Sequence, residues 1–416
     1  MFDFASLRDQ FPGLQQKRDG RTPIFFDGPA GTQVPQRVID AMVGYLTKCN
    51  ANHGGVFATS VDSDVIIDRA HQAMADLLGA SSRDEIIFGQ NMTSLTFHLS
   101  RSIAKVLKPG DEVMVTRLDH DANVTPWILA ARDAGATVRW IDIHPEDCTL
   151  DLESFRKQLS EKTRLVAVGA ASNSVGTINL PEFDEIIGES KRAGAWVFVD
   201  AVHYVPHGPV GLPSVDYDFL ACSAYKFFGP HVGVLWGRRE LLETLPAFKV
   251  RPAPDALPGR WMTGTQNHEG LAGVAAAVDF LDSVPVATVG PFPDRRHRLI
   301  EVMKRIKYHE ERLSARLLAG LLERPRFRVW GITKTQDLEF RVPTIAITAK
   351  DASPQAIANH LASRQIFVWA GNMYAQEVSE RLGLERTGGF VRLGMVHYNT
   401  ADEIDAVLRA LDELPG

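Results

Sequence analysis

The chain has 416 residues, 45% of them hydrophobic, and its 45 lysines and arginines against 51 acids leave a net charge of −6. That length exceeds one small core and predicts two domains, in a composition typical of soluble globular proteins. The acidic balance argues against a nucleic-acid groove, which needs concentrated lysine and arginine, and no apolar run nears the ~18 residues that span a bilayer. The opening M-F-D-F-A-S-L-R-D-Q-F-P-G-L has no basic leader followed by a long apolar stretch, so the expected address is cytoplasmic. Cys49, Cys148 and Cys222 lack C-x-x-C spacing, which predicts a reducing compartment with neither a disulfide framework nor a zinc site.

From about residue 85 short apolar or β-branched runs alternate with segments of helical period. E-I-I-F comes first, and N-M-T-S-L-T-F then opens a helix with Asn91, Met92 and Thr93. D-E-V-M-V-T-R-L runs out at His120, T-V-R-W-I-D-I follows, and T-R-L-V-A-V-G-A-A-S-N ends at Asn173. A-W-V-F-V-D-A-V-H-Y delivers Asp200 and then His203, while Y-D-F-L-A-C-S-A-Y-K delivers Ser223, Tyr225 and Lys226. Strands separated by helices predict right-handed crossovers and a mainly parallel sheet covered on both faces. The break S-V-P-V-A-T-V-G-P-F-P-D at 283–294 precedes a long charged helix from 295 and a smaller α+β pattern. The expected domains are 20–285, a large α/β unit, and 286–416 joined by 1–19.

Ligands of open α/β sheets sit outside the carboxyl ends of the strands, so the polar residues there are the ones to weigh. Taken singly, each has an ordinary reading: Asp200 as a helix cap, Asn173 as a turn former, His120 as a surface histidine, Lys226 as a surface lysine. His203 and His207 stand four apart, but Pro206 lies between them, which argues against a pair of metal ligands on a helix. Together the strand-end residues match what pyridoxal 5′-phosphate (PLP) requires. A lysine holds its aldehyde as a Schiff base, and a carboxylate keeps its ring nitrogen protonated. A helix start with hydroxyls suits its phosphate. Lys226 and Asp200 fit the first two roles, and Asn91, Met92, Thr93 and Ser223 the third. His120 is the expected stacking partner of the ring and His203 a partner for its phenolic oxygen. Gly229 and Gly233 let the chain turn tightly beside the lysine.

The runs S-A-Y-K-F-F-G-P-H-V-G, V-D-A-V-H, L-D-H-D-A-N-V-T-P-W and W-M-T-G-T-Q-N resemble the class V aminotransferase family. Within it the nearest group is that of cysteine desulfurases and selenocysteine lyases, and the likeness extends from F-D-G-P-A-G-T at 26–32 to V-R-L-G-M-V-H-Y-N-T at 391–400. The resemblance implies a fold-type I PLP enzyme with a mainly parallel, seven-stranded type of sheet. It also implies a homodimer with active sites at the subunit interface. Lys226 falls on the Schiff-base position, Asp200 on the pyridinium partner, and Thr265 where the family reaches a phosphate in the neighbouring subunit. Arg392 falls on the arginine that holds the substrate α-carboxylate, and His53, Trp369 and Tyr374 complete the expected substrate side.

The departures concern sulfur. Desulfurases of this group carry an arginine and a cysteine in a C-terminal loop that here reads W-A-G-N-M-Y-A-Q, with Trp369 and Tyr374 in their places. A phenol does not take up sulfur as a persulfide. Cys222 is close in sequence but sits on an apolar strand, where a core role is expected. His203 stands where the family usually has glutamine, and Tyr225 where it often has histidine. The expected activity is therefore a PLP-dependent lyase acting on a cysteine-like L-amino acid without a persulfide cysteine. Transamination or epimerisation on the same scaffold is the alternative. A non-catalytic binding protein would not need Lys226, Asp200 and Arg392 together, and a nicotinamide dehydrogenase would need a G-x-G-x-x-G turn that is absent.

Overall fold

The computed structural model describes residues 4–179, 182–211, 216–286 and 291–415. Residues 287–290 of the expected break at 283–294 lie outside the described residues, as do Leu212 and Pro213 after His207. The strands are β1 (Ile24–Phe25), β2 (Ile86–Gly89), β3 (Glu112–Thr116), β4 (Thr137–Ile141), β5 (Thr163–Gly169), β6 (Trp196–Asp200) and β7 (Phe219–Ser223). They continue with β8 (Gly233–Gly237), β9 (Phe327–Trp330), β10 (Thr344–Ala349), β11 (Ile366–Phe367), β12 (Trp369–Gly371) and β13 (Phe390–Gly394). The helices are α1 (Gln36–Lys48), α2 (Ala58–Leu78), α3 (Met92–Ala104), α4 (Thr125–Ala134), α5 (Leu152–Gln158) and α6 (Glu182–Arg192). They are followed by α7 (Arg239–Thr244), α8 (His268–Asp282), α9 (Arg295–Leu322), α10 (Pro354–Ala362), α11 (Gln376–Arg381) and α12 (Ala401–Asp412).

The main sheet has seven strands in the order β2-β8-β7-β6-β5-β3-β4. All are parallel except β8, which runs antiparallel to both its neighbours. The reason is local. A parallel return needs a crossover of about a dozen residues or more, and only the tight stretch 224–232 joins β7 to β8.

Side-chain alternation along the strands builds two cores. Leu165 and Ala167 of β5, Phe198 of β6 and Phe219 and Ala221 of β7 face the layer that contains α3 and α4. Val166, Val168, Val197, Val199 and Leu220 face the opposite layer, with α2 and α8. Full burial of such side chains stabilises by about 1.5–3 kcal/mol each. Because a one-residue slip would reverse every face, the register that sets the strand ends is firmly held.

A second, antiparallel sheet has the order β12-β13-β10-β9 and packs its own core against α10, α12 and the C-terminal half of α9. Residues 24–26 join this region, because β1 pairs with β11 and Phe26 O accepts from Gly394 N at 2.8 Å, whereas Phe4, Leu7, Phe11 and Leu14 pack into the core of the main sheet. Among the described residues no helix is long and apolar enough to cross a membrane.

Candidate active site

The carboxyl ends of β3, β5, β6 and β7 open on one cavity of about 450 Å³, the position where open α/β sheets bind ligands. Residues 369–374 and Arg392 wall it from the four-stranded sheet, and Pro29 and Ala30 reach it along the path fixed by β1.

Lys226 enters because the fully buried strand β7 stops at Ser223 and turns through a short 3₁₀ segment, Ala224–Lys226. Its side chain is buried, and Nζ donates to Pro29 O. Burial, followed by the Arg392 guanidinium, lowers its pKa to about 7, with the Asp200 carboxylate opposing. Asp200 ends β6 and accepts the Val202 N–H at 2.9 Å. Burial raises its pKa to about 6 against the pull of that N–H and of Lys226. A buried carboxylate and a buried amine thus face the same cavity with their charges poised near neutrality.

The anion end is built at the start of α3. Asn91 caps the helix by accepting from Ser94 N at 2.9 Å, and Met92 N donates to Ser223 Oγ at 3.2 Å. Asn91, Met92 and Thr93 all line the cavity, so the positive end of a 13-residue helix points at it. Gly233 permits this approach: a Cβ there would lie 2.3 Å from the Asn91 carbonyl carbon.

His120 follows β3, and its Nδ1 accepts from Ala122 N at 3.0 Å, which fixes the ring. Burial, Lys226 and Arg392 push its pKa down to about 4, so the ring is neutral. It stacks on Tyr374 with centroids 5.6 Å apart and 15° between the planes. The loop carrying Tyr374 is pinned by Asp121 N donating to Tyr374 O at 2.6 Å and by Asn173 Nδ2 donating to Met373 O at 2.8 Å. Met373 and Tyr374 both take left-handed backbone angles, φ 58° and 56°. Arg392 lies in β13 opposite Trp369 of β12, is buried, and donates through Nη1 to Asn173 O at 2.8 Å. His203, in the segment that leaves β6, lines the wall with Nε2 2.8 Å from Thr344 Oγ1. Tyr225 lies beneath Lys226, whose Nζ is 4.8 Å from the ring centroid.

These residues fit PLP. Two buried polar atoms at the cavity, Asn173 Oδ1 and Arg392 Nε, have no hydrogen-bond partner, a state that normally marks a missing ligand or water. A carboxylate for the ring nitrogen, an amine for the aldehyde and a helix start for the phosphate converge on a space of the right scale.

Of the residues expected from sequence, Asn91, Met92, Thr93, His120, Asn173, Asp200, His203, Ser223, Tyr225, Lys226, Trp369, Tyr374 and Arg392 share this cavity. His53 and Thr265 do not. His53 is exposed beside Asp64, with Nδ1 3.8 Å from Oδ1. Thr265 lines a separate cavity that adjoins the first at Asn91.

Sequence reading missed Asp119, beneath His120, which accepts from Gly169 N at 2.9 Å and from Asn123 Nδ2 at 2.8 Å. Burial and then Asp200 raise its pKa to about 8, so it is protonated at neutral pH beside the ionisable Asp200. The i,i+4 pair Asp119 and Asn123 within L-D-H-D-A-N was the available signal.

None of the three cysteines lines the cavity, and all are buried. Burial and then Asp200 push the Cys222 thiol pKa upward, away from the reactive thiolate.

Known proteins resemble the chain along nearly its whole length. The family profile described as aminotransferase class-V matches residues 24–407. A probable cysteine desulfurase of Streptomyces coelicolor is 30% identical over 437 aligned positions, covering 100% of this chain and 97% of its own. An aminotransferase-like protein of Gibberella zeae is 32% identical, covering 99% and 98%. The solved apo cysteine desulfurase of Thermococcus onnurineus superposes with a TM-score of 0.87 at 26% identity, covering 100% of this chain and 98% of that one. The architecture is fold-type I. The chain belongs to the class-V aminotransferase family of pyridoxal-phosphate enzymes, in its cysteine desulfurase-like group.

Proposed function

We propose that the protein is a PLP-dependent lyase that cleaves the Cβ–S or Cβ–Se bond of a cysteine-like L-amino acid without a protein persulfide. The observation that carries this reading is a cavity with the full set of amino-acid-handling groups and no thiol in its lining. PLP, when bound, supplies an electron sink for the substrate's α carbon. Arg392, buried and with Nε unpaired, binds the α-carboxylate through its planar fork of donors. Lys226, with a pKa of about 7, would hold the cofactor's aldehyde and is placed to act as the base for the substrate's α proton. Asp200 would hold the positive charge of the ring nitrogen, and neutral His120 would cover one ring face. With Tyr374 in the loop, the sulfur or selenium group leaves unaided, which suits substrates whose leaving group is already good.

A homodimer is part of the proposal. Ile39, Val43 and Leu46 of α1 and Val61 and Val65 of α2 are exposed apolar side chains at helical spacing on their helices. Thr265 and His53 lie outside their own chain's cavity, as residues serving a second copy would. Residues 20–285, and 286–416 with 1–19, are the proposed domains; the four-stranded sheet has a core of its own, while Phe4, Leu7, Phe11, Leu14 and the first half of α9 pack into the core of the main sheet.

The test is product identification from PLP-loaded protein given L-cysteine, L-selenocysteine and L-cysteine sulfinate. Pyruvate with ammonia and sulfide or selenide from L-cysteine or L-selenocysteine, or alanine with sulfite from the sulfinate, is expected, undiminished after alkylation of the thiols. The 32% identity to an aminotransferase-like protein favours transamination as the second reading. Amino-group transfer to a keto acid, or an inverted α carbon, without loss of the β substituent would replace the lyase reading.

A further inference from the structure

The segment after Asp200 ties the cavity to the four-stranded sheet through a contact that the reading above leaves unused. His203 Nε2 lies 2.8 Å from the hydroxyl of Thr344, the first residue of β10. Thr344 is fully buried, and among the described residues Nε2 is the one hydrogen-bond partner of its hydroxyl. Its backbone is fixed on both sides: Thr344 O accepts from Arg341 Nη2 at 2.6 Å, and Thr344 pairs with Gly394 across the sheet.

The groups around His203 decide its protonation. Burial biases it against a positive charge, and His207, Lys226, Arg392 and His120 add to that. The nearby acid on α9, Glu310, is taken up by His207, whose Nδ1 is 2.9 Å from Oε2. His203 is therefore neutral and carries a single N–H. If that proton were on Nε2, the Thr344 hydroxyl would accept it and leave its own proton buried without an acceptor, which costs about 1–3 kcal/mol. If the hydroxyl donates, its proton has an acceptor and the imidazole proton sits on Nδ1, the nitrogen that the Thr344 contact leaves free.

We propose that Thr344 is a positioning residue whose hydroxyl donates to His203 Nε2, fixes the Nδ1–H tautomer and makes His203 a hydrogen-bond donor toward the phenolic oxygen of PLP. The functional half of this rests on the PLP reading; the tautomer does not. A glutamine offers an N–H from its amide whatever its neighbours, whereas histidine at this position needs a neighbour that selects the tautomer. Donation to the phenolic oxygen favours its anionic form and lowers the pH at which the bound cofactor's visible band titrates.

The experiment is long-range ¹H–¹⁵N NMR of the full chain with ¹⁵N-labelled histidine, with His203→Gln to assign the ring. The wild type is expected to carry its proton on Nδ1. Thr344→Val, of matching shape, should move it to Nε2 or mix the tautomers, and Thr344→Ser should restore it. In PLP-loaded protein, Thr344→Val should raise the midpoint of the visible-band titration by about one to two pH units, the worth of a hydrogen bond to a charged group. A wild-type proton on Nε2 overturns the proposal whether or not any variant folds. An unchanged tautomer in folded Thr344→Val does so as well. Absence of the visible band with the Nδ1–H tautomer intact would instead overturn the cofactor reading alone.

Discussion

Arg392 is a buried cation with no carboxylate within ion-pair distance among the described residues; it is held by the Asn173 carbonyl and left one donor short. Burial lowers its pKa only to about 10, so it stays charged at neutral pH and keeps its attraction for a carboxylate. Arg392→Ala is expected to raise KM for α-amino acids by about 10- to 150-fold, the worth of a hydrogen bond to a charged group, while PLP content stays near that of the wild type. Steady-state kinetics with cofactor absorbance checks both.

Lys226 makes a second residue-scale prediction. Its amine attacks only when uncharged, so attachment of PLP to cofactor-free protein should accelerate about tenfold per pH unit and level off above about pH 7. An ordinary lysine would keep gaining rate toward its usual pKa near ~10.4. Stopped-flow traces across pH separate the two. The residue types at the strand ends were legible because apolar runs that finish on Asp200 or Lys226 are conspicuous in sequence. Thr344 was not, since it acts through a neighbour that only tertiary packing brings near, and Asp119 was missed although its partner Asn123 stands four residues on in the same run.

At the scale of elements, the site depends on how closely the start of β8 approaches the start of α3. Gly233→Ala would set a methyl against the Asn91 backbone and push the helix start off Ser223. Such overpacking costs about 1–3 kcal/mol. Gly233→Ala is therefore expected to lower the thermal midpoint and to loosen PLP, both readable by melting in the presence and absence of cofactor. The alternating runs correctly announced the sheet strands and the long helix from 295, which extends to Leu322. The direction of β8 was not announced, because its apolar pattern reads the same either way. It follows from the brevity of 224–232. The segment 369–374 reads as a loop in sequence, and its two left-handed residues become visible only in the backbone.

For the whole molecule, the exposed apolar side chains of α1 and α2 are the proposed seam between two copies. Sedimentation should give about twice the 45.9 kDa chain mass, and Val43→Arg should shift the protein toward monomer. A wild type that sediments as a monomer would remove the seam. Family and fold were legible from motifs spread along the chain, whereas His53 and Thr265, expected at the site, lie apart from it within one chain. The account as a whole turns on one attachment point. Borohydride reduction of PLP-loaded protein followed by peptide mass mapping should find the pyridoxyl group on Lys226, with none fixed in Lys226→Ala. Label on any other lysine, or a protein that takes up no PLP at all, would contradict it.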